Sequence, residues 1–263
     1  MTLMETKSSK FRSGFVALIG RPNVGKSTLI NKLIGEKVAI TSPVAQTTRN
    51  RLRAILTMEN AQIVLVDTPG IHKPHHLLGE RLVKSARNAI GEVDVVLVIF
   101  EGCYSPGRGD AFIVNLLKQK KLPVVVVLNK SDLLTESSYH LIEDQYKNLI
   151  EGNAWPIYSC SAITGEGCEQ LIKDLAEYLP IGPHLYPPGM VSDQPQKILL
   201  AELIREQVLI HTREEVPHSV AVSIDRIENM ISSENKNSSP RTAVLATILV
   251  ERKSQKGILI GKG

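Results

Sequence analysis

Gly20-Arg21-Pro22-Asn23-Val24-Gly25-Lys26-Ser27, followed by Thr28, has the residue types and spacing of a phosphate cradle. Its glycines let the backbone curl until N–H groups point inward at phosphate oxygens. Lys26 adds a cation for the outer phosphates, and the Ser27 hydroxyl can ligate Mg²⁺. Apolar residues 15–19 read as a strand and residues 27–33 as a helix, so a helix N-terminus faces the same anion. A plain strand-to-helix turn would account for the glycines, but not for the Lys-Ser pair behind them.

Two further clusters extend the chemistry. Asp67-Thr68-Pro69-Gly70 follows the strand-like residues 62–66. An acid at a strand end can hold a Mg²⁺-bound water, and Gly70 can bring a backbone N–H to the terminal phosphate. Alone, this tetrapeptide would be a Pro-Gly turn; behind a phosphate loop it reads as part of the site. Asn129-Lys130-Ser131-Asp132 follows the β-branched run 124–128. Guanine offers two neighbouring donors, N1–H and its amine, and the Asp132 carboxylate can accept from both. Adenine has no such pair and would leave a carboxylate unpaired. Asn129 can bridge base and phosphate loop, and the Lys130 stem can cover a ring face. Ser161-Ala162, after residues 156–159, offers a backbone N–H to the guanine carbonyl. GTP or GDP with Mg²⁺ is the ligand this set predicts. An ATP-dependent enzyme on the same loop is the competing reading, and Asn129–Asp132 argues against it.

The elements that position these residues alternate. Residues 53–56 and 62–66 read as paired strands, and 93–100, 124–128 and 156–159 as further strands. Helical spacing covers 77–89, 111–120, 139–150 and 168–178. Runs so apolar belong to strands buried on both faces. The predicted class is α/β, a mostly parallel sheet flanked by helices, with ligands at the carboxyl ends of the strands. Five prolines and two glycines between residues 179 and 195 then mark a linker. Beyond it, 197–210 is helical, 219–227 and 242–251 alternate like strands, and 229–240 is a polar turn. The expected organisation is a nucleotide domain over 14–180, a linker over 181–195 and a smaller α+β domain over 196–263.

Composition constrains the rest. The 263 residues are 43% hydrophobic and 22% charged, enough for a sizeable core, but only 4% aromatic, so that core rests on Val, Ile, Leu and Ala. A net charge of +4 permits a nucleic-acid partner without requiring one. Cys103, Cys160 and Cys168 form no paired spacing, which argues against a disulfide framework. The polar N-terminus lacks a signal-peptide run, and no apolar stretch is long enough to span a bilayer. A cytoplasmic protein is expected.

Taken in order, these elements resemble the translation-factor-related small GTPases, and more closely the Era family of bacterial ribosome-assembly GTPases. The resemblance rests on Gly20–Thr28, residues 42–49 (Ser-Pro-Val-Ala-Gln-Thr-Thr-Arg), Asp67 to Pro74, Asn129–Asp132, residues 161–167 and the region after the linker, nearly the whole chain. It implies a GTP-hydrolysing switch that acts on the small ribosomal subunit through ribosomal RNA. It places Thr47 and Thr48 in a first switch, with Thr48 as a metal ligand; without the family, this stretch reads equally as an exposed Ser/Thr-rich loop. Asp67 opens the second switch. Where many GTPases orient water with Gln, this chain has Ile71, which cannot polarise water. The catalytic candidates are therefore Lys26, Thr48 and Asn23, the last carried over as a K⁺-binding residue. His72, His75 and His76 lack partners with metal-ligand spacing and read as a solvated switch loop. The C-terminal part resembles the start of a KH domain, whose Gly-x-x-Gly loop clamps single-stranded RNA. The chain stops inside that loop, at Gly261-Lys262-Gly263, so an incomplete domain with weakened RNA binding is expected, leaving Val244, Ala246 and Ile248 with less cover. The alternatives are a nucleotide-binding fragment with impaired RNA binding, and an RNA-binding factor for which nucleotide is only a structural ligand. A monomer with peripheral membrane association is implied by the resemblance alone.

Overall fold

A computed structural model of the chain describes residues 10–41, 52–68, 70, 88–212, 216, 219–230 and 241–261. Two compact units divide them. The first takes residues up to 39 and 45–193, and the second takes 40–44 and 194–263.

The first unit is a six-stranded sheet flanked by helices. Its strands are β1 (Arg12–Gly20), β2 (Leu52–Thr57), β3 (Ala61–Asp67), β4 (Val95–Glu101), β5 (Val124–Asn129) and β6 (Ile157–Cys160). They lie in the order β2-β3-β1-β4-β5-β6. Only the β2–β3 pair is antiparallel. The helices are α1 (Lys26–Ile34), α2 (Arg108–Lys118), α3 (Glu136–Leu149) and α4 (Cys168–Glu177).

Each central strand is apolar on both faces because each face meets helices. Val16 and Leu18 of β1 pack with Leu29 and Ile30 of α1 and Leu171 and Leu175 of α4. Ala17 and Ile19 pack on the other face with Ile113 and Leu117 of α2 and Tyr146 of α3. Burying these β-branched and Leu side chains stabilises the sheet by roughly 1.5–3 kcal/mol each. The expected helix over 77–89 lies mostly outside the described residues.

Residues 181–193, which carry three of the five prolines and both glycines read as a linker, run along this unit. Ser13 Oγ donates to the Pro183 carbonyl at 2.6 Å. The amides of Leu185 and Tyr186 both donate to Gln62 Oε1, at 2.7 and 2.9 Å. The Ile55 amide donates to the Val191 carbonyl, and Arg53 pairs with Asp193 at 3.1 Å.

The second unit contains α5 (Gln196–His211), the hairpin β7 (Val220–Met230) and β8 (Arg241–Val250), and α6 (Lys253–Ile260). A register shift interrupts the hairpin between Ile224 and Arg226. Val208, Val216 and Val220 form its core, with Val222, Val250 and Leu259 packed against them. Within this unit, Glu206 accepts from both the amide and the hydroxyl of Thr41, at 2.7 and 3.0 Å. Val244, Leu245, Ile248 and Leu249 are exposed on β8, and Ala246 is half-buried. The helix α6 occupies residues read from sequence as the approach to the Gly-x-x-Gly loop; Lys262 and Gly263 lie outside the described residues. Among the described residues no helix is long and apolar enough to cross a membrane.

Candidate functional site

Five segments converge at the carboxyl ends of β1, β3, β4, β5 and β6, where a doubly wound sheet opens a crevice. β1 ends at Gly20, whose Cβ would lie 2.5 Å from the Ile99 carbonyl, so no side chain fits there. The loop then passes through two left-handed residues, Asn23 at φ 63° and Gly25 at φ 98°. A Cβ on Gly25 would also collide with Asn129 Nδ2. This tight curl delivers the chain into α1, whose first residue is Lys26.

Lys26 is buried, and its ammonium donates to the carbonyls of Gly20 and Arg21, at 3.1 and 2.9 Å. Burial pulls it down from its ordinary value of 10.5 to about 8, with the Asp67 charge acting in the opposite direction. Ser27 Oγ lies 3.4 Å from Asp67 Oδ2. Asp67 is fully buried at the end of β3. An isolated buried carboxylate is costly, so a hydroxyl and a carboxylate facing each other beside an ammonium fit a hard cation bound to phosphate. Gly70 packs so closely that a Cβ there would lie 2.7 Å from the Pro22 nitrogen, which sets Gly70 against the phosphate loop. Thr28 is half-buried in the first turn of α1.

Asn129 links the phosphate end to the other candidate corner. Its Nδ2 donates to the Val24 carbonyl at 2.8 Å, and its Oδ1 accepts from the Ala162 amide at 2.9 Å. At 1% exposure, neither bond is shared with bulk water. Lys130 is left-handed at φ 70°, and a one-turn 3₁₀ segment, Ser131–Leu133, presents Asp132 to solvent. Ser131 Oγ is buried with no hydrogen-bond partner among the described residues, an orphaned polar atom in the turn that carries Asp132.

Three further contacts involve residues expected at the site. The Thr68 hydroxyl donates to the Leu18 carbonyl at 2.6 Å, so this side chain ties β3 to β1. Lys130 Nζ pairs with Glu101 Oε1 at 2.5 Å, so its ammonium is held at the end of β4. The Ser161 amide donates to the Glu166 carbonyl at 3.0 Å, and the Ala162 amide to Asn129. Thr47, Thr48, Pro69, Ile71, His72, His75 and His76 lie outside the described residues. Among the described residues no group of His, Cys, Asp and Glu has a metal-ligating arrangement.

Sequence reasoning missed Glu101 and Asp110. Glu101 ends an otherwise apolar strand, a place where a carboxylate needs a partner. Asp110 is fully buried in the first turn of α2, 2.8 Å from Arg21 Nε. Its signal was weaker, an acid three residues after a helix-starting glycine.

Comparison with known proteins agrees with this geometry. Residues 15–130 match a family described as 50S ribosome-binding GTPase. GTPase Era of Crocosphaera subtropica is 54% identical over 253 residues, covering 96% of this chain and 77% of that protein. GTPase Era of a Nostoc species is 55% identical over 254 residues, covering 97% and 76%. A crystal structure of Era with MgGDPNP and nucleotides 1506–1542 of 16S ribosomal RNA superposes with a TM-score of 0.86 at 37% identity, covering 96% of this chain and 83% of that one. A variant of Aquifex aeolicus Era bound to GDP and AlF₄⁻ superposes with a TM-score of 0.85 at 36% identity and the same coverage. With relatives this similar over nearly all of its length, and with Asn129 joining the loop after β1 to the end of β5, the chain belongs to the Era family of GTPases.

Proposed function

We propose that the chain binds GTP with Mg²⁺ at residues 20–28, hydrolyses it to GDP and phosphate, and acts as a switch on small-subunit ribosomal RNA. The observation that carries the reading is the Asn129 side chain, which ties the Val24 carbonyl to the Ala162 amide and so locks a phosphate cradle to a base pocket. In this proposal 14–180 is the nucleotide domain, 181–195 connects it, and 196–263 is the KH-like RNA-binding part.

Ser27 and Asp67 would hold Mg²⁺, with Thr48 as the third ligand implied by family. When bound, Mg²⁺ offsets charge on the outer phosphates. Lys26 contributes its ammonium to the same oxygens, and the backbone amides of Gly20–Ser27 orient them. Asp132 selects guanine, with Asn129, Lys130, Ser131 and the Ser161-Ala162 backbone shaping the pocket. Ile71 has no polar atom with which to orient water, so transition-state stabilisation falls on charge around the phosphates and intrinsic turnover is slow. Asn23, in the outer part of the loop, is the residue to hold K⁺ there. RNA recognition is supported by family membership and by the Era structure with 16S ribosomal RNA. On family grounds the proposal also places the chain in the cytoplasm, as a monomer with peripheral contact to the inner face of the membrane.

Single-turnover hydrolysis of labelled GTP, alone and with small ribosomal subunits, tests the reading against Lys26→Ala. Hydrolysis no faster than the Lys26→Ala background makes nucleotide a structural ligand. ATP competing as well as GTP defeats the assignment of Asp132. Equal turnover in K⁺ and Na⁺ buffers defeats the role of Asn23.

A further inference from the structure

Nothing in a phosphate loop calls for an arginine after its first glycine, because backbone amides do the binding. Here that arginine is held. Asp110 is fully buried in the first turn of α2. Its Oδ2 accepts from the Gly107 amide at 2.8 Å, and its Oδ1 lies 2.8 Å from Arg21 Nε, a contact of opposite charges at an angle that makes no hydrogen bond. Taking a carboxylate out of water is costly unless a cation faces it, so the pair depends on Arg21 staying in place. Gly109 makes room for it: a Cβ there would lie 2.7 Å from Arg21 Cδ. The nearby Tyr146 hydroxyl is buried without a hydrogen-bond partner among the described residues, so no competing donor holds the carboxylate from that side. The Arg21 carbonyl, in turn, accepts from Lys26 Nζ at 2.9 Å.

We propose that Asp110 is a positioning residue for the GTPase site: by clamping Arg21 against Gly109 it fixes the carbonyl that, with that of Gly20, aims the Lys26 ammonium at the phosphates. The contact lies outside the phosphate-loop pattern and on a different helix. It rests on the nucleotide reading given above. Lys26 meets the outer phosphates before and during transfer, so loss of aim removes binding shared by ground state and transition state. The main effect then falls on affinity and KM, with kcat changed less.

The test compares GTP and GDP affinity, KM, kcat and Tm in the wild-type chain, Asp110→Ala, Asp110→Asn and Gly109→Ala. Asp110→Ala and Gly109→Ala are expected to weaken both nucleotides by about tenfold. Asp110→Asn, which keeps an acceptor but no charge, falls between. Adding Arg21→Ala to Asp110→Ala costs less than the sum of the two single changes, because they act through one contact. Gly109→Ala leaves the carboxylate and its Gly107 bond intact and favours helix, so it remains informative if Asp110→Ala does not fold. A lowered Tm with unchanged affinity and KM overturns the proposal, as does wild-type affinity in Gly109→Ala. A wild-type chain that binds neither GTP nor GDP overturns the nucleotide reading instead.

Discussion

In the nucleotide-free chain, raising the pH titrates Lys26. Burial lowers this ammonium from 10.5 to about 8. A bound phosphate supplies the opposite charge at contact distance and returns the group toward its ordinary range. The difference between about 8 and 10.5 corresponds to roughly 3 kcal/mol of coupling between nucleotide and proton. Two consequences follow. Near pH 8 each bound nucleotide takes up about half a proton, since about half the free chains carry a neutral amine. Above that pH, affinity falls by up to about tenfold for each further pH step of one. Stability without nucleotide moves the other way. The folded chain loses the Lys26 proton at about 8 and the unfolded chain only near 10.5, so in this window the unfolded state binds more protons and stability rises with pH. Calorimetric titration with GDP in two buffers of different ionisation enthalpy, at pH values of about 7 and about 8, reads the uptake directly. Lys26→Met removes the uptake. Tight binding near pH 8 with no proton taken up, or with uptake unchanged in Lys26→Met, refutes the reasoning.

Two other substitutions separate the corners of the site. Gly25→Ala forces a side chain into a left-handed backbone and against Asn129; strain of about 1–3 kcal/mol is expected, with loss of nucleotide binding, and a wild-type Tm and GDP affinity would contradict it. Asp132→Ala alters an exposed side chain, so Tm should move by less than about 0.5 kcal/mol equivalent. Its preference for GTP over ATP should fall by about 10- to 100-fold, at about 1.4–3 kcal/mol for a lost charged acceptor pair, and competition binding measures it.

The nucleotide chemistry was legible because it is local. Gly20–Ser27, Asp67 and Asn129–Asp132, the residues proposed for it, each lie within a few residues of a strand end, and the strands announce themselves through runs such as Val124 to Leu128 that only a sheet covered on both faces can bury. Order along the chain then fixes which strand ends share a crevice. What that order could not supply was how each polar group is used. Thr68, Lys130 and the Ser161-Ala162 amides all fall where a ligand contact was expected. Whether each faces a ligand or satisfies a neighbour depends on groups between 29 and 50 positions away or across a turn: Leu18, Glu101, Asn129 and Glu166. The run of prolines after Leu179 was equally ambiguous, since its composition reads as linker while Gln62 holds its amides along the sheet. Asp110 is the sharpest case. Its type and position mark only a helix start, and its pairing with Arg21 exists because β1 and α2 place those two residues side by side. Sequence by itself determined the α/β sheet and pointed to the proposed phosphate loop and to a guanine nucleotide, because these need only residue type and local spacing. The tertiary structure alone decided which polar groups stay available to a ligand and which charges hold the cradle in shape, because buried groups must find partners wherever the fold brings them.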